Sequence, residues 1–161
     1  MQKIIFQCET ITPMFLAGAD GKTPELRPPS IKAAMRFWWR AINGHLPLAE
    51  LMEKEALIFG GSGEKEGRSK FSIRITCNSN DIFSEYRPLP HSDNKKFTAK
   101  CIKERVAFQV IISNADETIK NLFLTVSYLG GIGKRSRRGF GSFKVIKIGE
   151  ESYSYEFNSL L

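Results

Sequence analysis

PPSIKAAMRFWWRAIN, residues 28–43, decides how the rest of the chain is read. Two prolines preset φ for a helix start, since proline is tolerated in the first turn, and Gly44 supplies a stop. Ile31, Ala34, Met35, Trp38 and Ile42 recur at helical spacing, which predicts a buried face. Lys32, Arg36 and Arg40 recur at i, i+4 and i+8 and form a cationic stripe beside it. Trp39 and Asn43 fall close to the line of that stripe. The pattern predicts a helix over residues 30–43 with one face for the core and one for an anionic partner.

Upstream, residues 3–15 (KIIFQCETITPMF) are β-branched and aromatic and read as a first strand, joined to the helix by a Gly/Pro-rich connection. Downstream, LPLAELMEKEALIFGG predicts a second short helix halted by Gly60 and Gly61. Residues 70–79 alternate like a strand, and residues 80–103, with Pro88, Pro90, Lys95 and Lys96, read as an exposed insertion. Residues 105–113 predict a third strand. Asp116 is placed to cap a helix with an apolar stripe at Ile119, Leu122, Phe123, Val126 and Leu129. Residues 142–149 close the series as a last strand. The order is strand, helix with a small extra helix, strand, strand, helix, strand. This is the βαββαβ pattern of a ferredoxin-like α+β domain, expected to cover residues 1–161 as one unit with one sheet face open.

Charge narrows the partner. The chain of 161 residues holds 24 Lys+Arg against 17 Asp+Glu, a net charge of +7, which favours a polyanion. Three cysteines without a C-x-x-C pair argue against a disulfide framework and a zinc site. No metal or cofactor is expected. No apolar run approaches the ~18–20 residues of a membrane span, and the N-terminus turns polar too early for a signal peptide. A cytoplasmic protein without a membrane partner is the expectation.

The densest charge lies in GGIGKRSRRGFGSF, residues 130–143. Its glycines permit positive φ and exposed N–H groups, while Lys134, Arg135, Arg137 and Arg138 add charge suited to phosphate. It is no P-loop, because G-x-x-x-x-G-K-[ST] is absent and the run leads from a helix into a strand. Nor is it an RNA-recognition motif strand, since Ser142 occupies an aromatic position.

Together with TPMFLAGADGKTPELRPPSIKAAMRFWWRA (12–41) and IFGG…GRSKFSIRIT (58–76), this loop resembles the RAMP superfamily of CRISPR-associated proteins. Within it the match is to first-numbered subunits of the Cmr (type III-B) effector. The resemblance implies an RNA-binding, non-catalytic subunit that contacts guide RNA and target single-stranded RNA beside other RAMP subunits. It carries an RNA-binding set over to Arg27, Ser30, Lys32, Arg36, Trp39, Arg40, Lys134, Arg135, Arg137 and Arg138. One departure is that family members usually carry two ferredoxin-like domains, whereas this chain holds one. The alternative is a metal-independent RAMP endoribonuclease that processes guide precursors. General acid–base cleavage would then fall to His45 or His91. A target-cleaving loop aspartate would be Asp20 or Asp93; Asp81 is a further scattered carboxylate.

Overall fold

The computed structural model describes residues 3–61, 63, 67–77, 82–89 and 97–154. The elements in order are β1 (Lys3–Thr10), α1 (Pro28–Ile42), α2 (Leu48–Phe59), β2 (Ser72–Thr76), β3 (Phe83–Tyr86) and β4 (Ala99–Ile102). They continue with β5 (Ala107–Ser113), α3 (Glu117–Leu129), a 3-10 turn (Ser136–Arg138), β6 (Phe143–Ile148) and β7 (Glu151–Ser152). Five strands form an antiparallel sheet in the order β2-β5-β1-β6-β7, and β3 pairs with β4 in a separate hairpin.

Alternation sets the sheet's inner face. Phe6, Cys8 and Thr10 of β1 are buried, and register places Phe6 opposite Val110 and Cys8 opposite Phe108 of β5. Phe143 and Val145 of β6 complete the row, with a register shift between Gln7 and Cys8. Against this face α3 lays Ile119, Leu122, Phe123 and Val126, so the rings of Phe6 and Phe123 stand 4.4 Å apart. Asp116 caps α3 by accepting the Ile119 amide at 2.9 Å.

Helix α1 forms where expected, but its phase differs. The buried residues are Ile31, Met35 and Trp39; Trp38 is half-buried and Ile42 is 58% exposed. Both tryptophans are apolar, so periodicity alone left two readings one residue apart. The neighbours decide between them. Phe59 at the end of α2 meets Trp39 edge-on at 6.4 Å, and Phe71 continues the row at 5.6 Å from Phe59. Trp39 is therefore a core residue at 6% exposure, against its expected place in the RNA-binding set.

Two other expectations change. β1 ends at Thr10 rather than residue 15, because Thr10 turns the chain out of the sheet. Its hydroxyl accepts the Val106 amide at 2.9 Å and donates to the Lys103 carbonyl at 2.8 Å. Residues 80–103 are not simply an exposed insertion: Cys101 and Ile102 of β4 are fully buried, and Ile102 exchanges main-chain hydrogen bonds with Met14 at 2.8 and 2.9 Å. Pro90, Lys95 and Lys96 lie outside the described residues.

Burial of Trp39 yields the first prediction. Trp39→Ala should destabilise the protein by about 3–5 kcal/mol, the usual range for a buried aromatic. Trp38→Ala should cost less. Thermal melting of the two variants in one buffer reads the difference, and the reverse order would refute the observed phase.

Candidate nucleic-acid interface

The site is built around the glycine-rich loop, and main-chain hydrogen bonds hold that loop in place. Phe15 O accepts the Lys134 amide at 2.9 Å, Pro13 O accepts the Gly141 amide at 2.9 Å, and Gly141 O accepts the Ile132 amide at 3.0 Å. The loop thus folds on itself and onto residues 13–15. Two glycines are required for this. A Cβ on Gly141 (φ +72) would stand 2.1 Å from Ile132 O, and one on Gly133 (φ +94) would stand 2.7 Å from Phe15 O.

Two grooves flank the loop. One, of about 650 Å³, runs between α1 and the loop; Ser30, Ala33, Phe37 and Trp38 form one wall and Gly130, Gly131, Ser136 and Arg137 the other. Small residues at 30, 33 and 34 leave Phe37 and Trp38 standing as an edge-to-face pair at 5.7 Å. Arg137 lies over the Phe37 ring at 5.7 Å. Trp38 rests where a Gly130 side chain would be, its Nε1 only 2.5 Å from the position of an added Cβ. The other groove, about 980 Å³, lies between residues 15–24 and the β3–β4 hairpin, with Lys134 and Arg135 on its rim.

The cationic stripe of α1 faces elsewhere. Arg36 pairs with buried Glu55 at 3.2 Å and donates to the carbonyls of Phe59 and Gly60 at 3.5 and 3.1 Å. Arg40 grips both Glu55 oxygens, one through Nε and the other at 2.8 Å through a terminal nitrogen. That hydrogen bond raises the Arg40 pKa. Lys32 sits over the Phe71 ring at 5.5 Å, where desolvation and then Arg36 lower its pKa. Arg36 and Arg40 therefore clamp α2 onto α1 through Glu55, with the Arg40 side chain still 57% exposed. The sequence could not show that α2 returns Glu55 to this face.

Of the remaining expected residues, Ser30, Lys134, Arg135 and Arg137 line the two grooves. Arg138 is exposed on the 3-10 turn, and Arg27 is half-buried, its Nε 3.9 Å from Glu25. Phe37 was missed; the signal for it was its place four residues after Ala33 on the helix side with little bulk. His45 is exposed in the turn after α1 and lines neither groove. Asp20 is engaged by the Thr23 hydroxyl and by the Lys22 and Thr23 amides, which hold its pKa at about 2. The stability this turn adds is present above the usual carboxylate pKa and is lost as pH falls toward 2. Asp81, His91 and Asp93 lie outside the described residues. Among the described residues no group of acidic, His or Cys side chains could hold a metal, and no helix is long and apolar enough to cross a membrane.

The sequence profile of the RAMP superfamily matches residues 7–144, most of the chain. This protein belongs to the RAMP superfamily. The chain is 30% identical to the CRISPR system Cmr subunit Cmr1-2 of Pyrococcus furiosus, covering 93% of this chain and 98% of that protein. It superposes on the crystal structure of Cmr1 from Pyrococcus furiosus in its apo form with a TM-score of 0.65 at 28% identity. That match covers 94% of this chain and 51% of the other, so the chain spans about half the length of the solved Cmr1. A chain of the type III-B Cmr-beta complex bound to cognate target RNA shares the fold, with a TM-score of 0.61 at 19% identity; the match covers 91% of this chain and 59% of that one.

Three predictions follow from how this RAMP protein holds its loop and its first helix. Gly139 and Gly141 both have positive φ, but nothing lies within 4 Å of a Cβ added at Gly139. Gly139→Ala should cost about 1–2 kcal/mol of left-handed strain, and Gly141→Ala distinctly more, read as the difference in melting temperature. Glu55→Gln should lower the melting temperature by removing the charge that pairs two guanidinium groups. Arg40→Ala should lower the melting temperature less than Glu55→Gln does, because Arg36 still pairs with the Glu55 carboxylate.

Proposed function

We propose that this protein is an RNA-binding, non-catalytic subunit of a type III-B (Cmr) CRISPR effector complex, contacting guide RNA, target RNA and other RAMP subunits. The observation that carries the reading is the groove between α1 and the glycine-rich loop. There an aromatic pair, a stacked arginine and glycine backbone converge with no carboxylate among the described lining residues. Aromatic faces accept any base, and cations with backbone N–H groups accept phosphate, so the site suits a single strand with little base preference. Similarity to Cmr1-2 and Cmr1 of Pyrococcus furiosus supports the assembly. We read residues 1–161 as one ferredoxin-like domain, supported by the order β2-β5-β1-β6 and by helices packed on one face.

The placement of His45 outside both grooves weighs against the endoribonuclease reading, since a general base must reach the 2′-OH. Specific cutting of a repeat-containing RNA by the purified chain, abolished by His45→Ala, would reinstate it.

Replacing Lys134, Arg135, Arg137 and Arg138 together by Ala should weaken single-stranded RNA binding similarly for all sequences. The slope of log K against log salt should flatten by up to about 0.7 per lost phosphate contact. Phe37→Ala should cost roughly 1–3 kcal/mol of affinity at an unchanged melting temperature. A salt slope identical to that of the parent protein removes the loop as a phosphate site.

A further inference from the structure

We propose that the larger groove, between residues 15–24 and the β3–β4 hairpin, receives unstacked nucleobases of the same strand whose phosphates cross the glycine-rich loop. This rests on the RNA-binding reading above. Phe83, Leu89 and Phe97 stand 45%, 41% and 50% exposed around a cleft of about 980 Å³. That volume lies at the upper end of ligand clefts, roughly 300–1,000 Å³. Large side chains left in water around such a concavity mark a binding surface.

Charge narrows the occupant. Among the described residues, Lys22, Lys100, Lys134 and Arg135 line the cleft against one carboxylate, Glu85, which already accepts the Thr98 hydroxyl at 3.1 Å. The ligand therefore has an apolar body and carries negative charge. An acidic peptide and a nucleotide both meet that description.

Continuity decides for the nucleotide. Lys134 and Arg135 line this cleft, whereas Ser136 and Arg137 line the groove against α1. Arg135 makes the division. Its φ of +63 is a left-handed conformation that an arginine adopts at a cost, and it reverses the chain just before the 3-10 turn. Its Nε is buried without a hydrogen-bond acceptor among the described residues. One loop thus offers consecutive cations to two clefts, each with exposed phenylalanine. A single strand crossing the loop can drop bases to either side, onto Phe37 and Trp38 on one and onto Phe83 and Phe97 on the other. A peptide in the larger groove would account for the cations but not for the shared loop.

The test is a fluorescence titration of the purified protein with a labelled single-stranded RNA just long enough to span the two grooves, so that it binds in one register, and a set of copies, each abasic at one position. The parent protein should lose roughly 5- to 100-fold in affinity at two separate registers, as expected when a stacked base is removed. The Phe83→Ala/Phe97→Ala variant should bind intact RNA correspondingly weakly and become indifferent to the abasic site at one register only. Phe37→Ala should do the same at the other. Phe97→Leu keeps an apolar side chain but removes a stacking face; it should weaken RNA as Phe97→Ala does, with melting curves showing that both variants fold. Losses that multiply at every register, or full binding by the double variant, overturn the inference. If the four-cation loop variant still loses binding in that case, the RNA-binding reading stands alone; if it does not, both fall.

Discussion

Residues 13–15 are held on both sides by main-chain hydrogen bonds, and the functional face depends on that attachment. Met14 pairs with Ile102 of the hairpin, while Pro13 and Phe15 accept the amides of Gly141 and Lys134 from the glycine-rich loop. Each bond contributes about 0.5–1.5 kcal/mol net; together they fix where the hairpin, the loop and the chain leaving β1 stand relative to the sheet. The geometry tolerates no side chain at Gly141 and almost none at Gly133. Glycine here serves close backbone packing. A loop of four cations held this way presents charge in fixed directions, so the cost of gathering like charges is met by backbone bonding instead of by a ligand.

Helix α1 is the second organiser, and it divides its surface three ways. Ile31, Met35 and Trp39 face the core, Arg36 and Arg40 close on Glu55, and Ser30, Ala33, Phe37 and Trp38 wall a groove. The Glu55 contact is more than neutralisation. Glu55 is buried, and a buried carboxylate is tolerated only with partners; two guanidinium groups supply them and dock α2 in doing so. The aromatic row Trp39, Phe59 and Phe71 then extends the core under α2. Charge that looks available in the sequence is thereby engaged in holding the fold, while the densest run of cations lies in the loop.

The three helices and the strands β1, β2, β5 and β6 were legible in the sequence, in order, because each rests on local rules. β-Branched and aromatic residues at 3–10, alternation at 70–79, prolines before α1, Asp116 before α3 and glycines after each helix act over a few residues. The loop at 130–143 stood out for the same reason: its glycines and cations are adjacent in the chain. Membership of the RAMP superfamily was also carried by contiguous motifs. Tertiary structure alone decided the rest. Trp38 and Trp39 are equally apolar neighbours, and packing against residues far along the chain, Phe59 twenty residues on among them, determines which is buried. Arg36 and Arg40 are evenly spaced cations until Glu55 folds against them. The hairpin at 83–102 lacks a strong period, yet Met14 draws Ile102 inside. Propensity and periodicity encode which face a segment offers, whereas the partner that claims that face comes from elsewhere in the chain, and no local pattern records it.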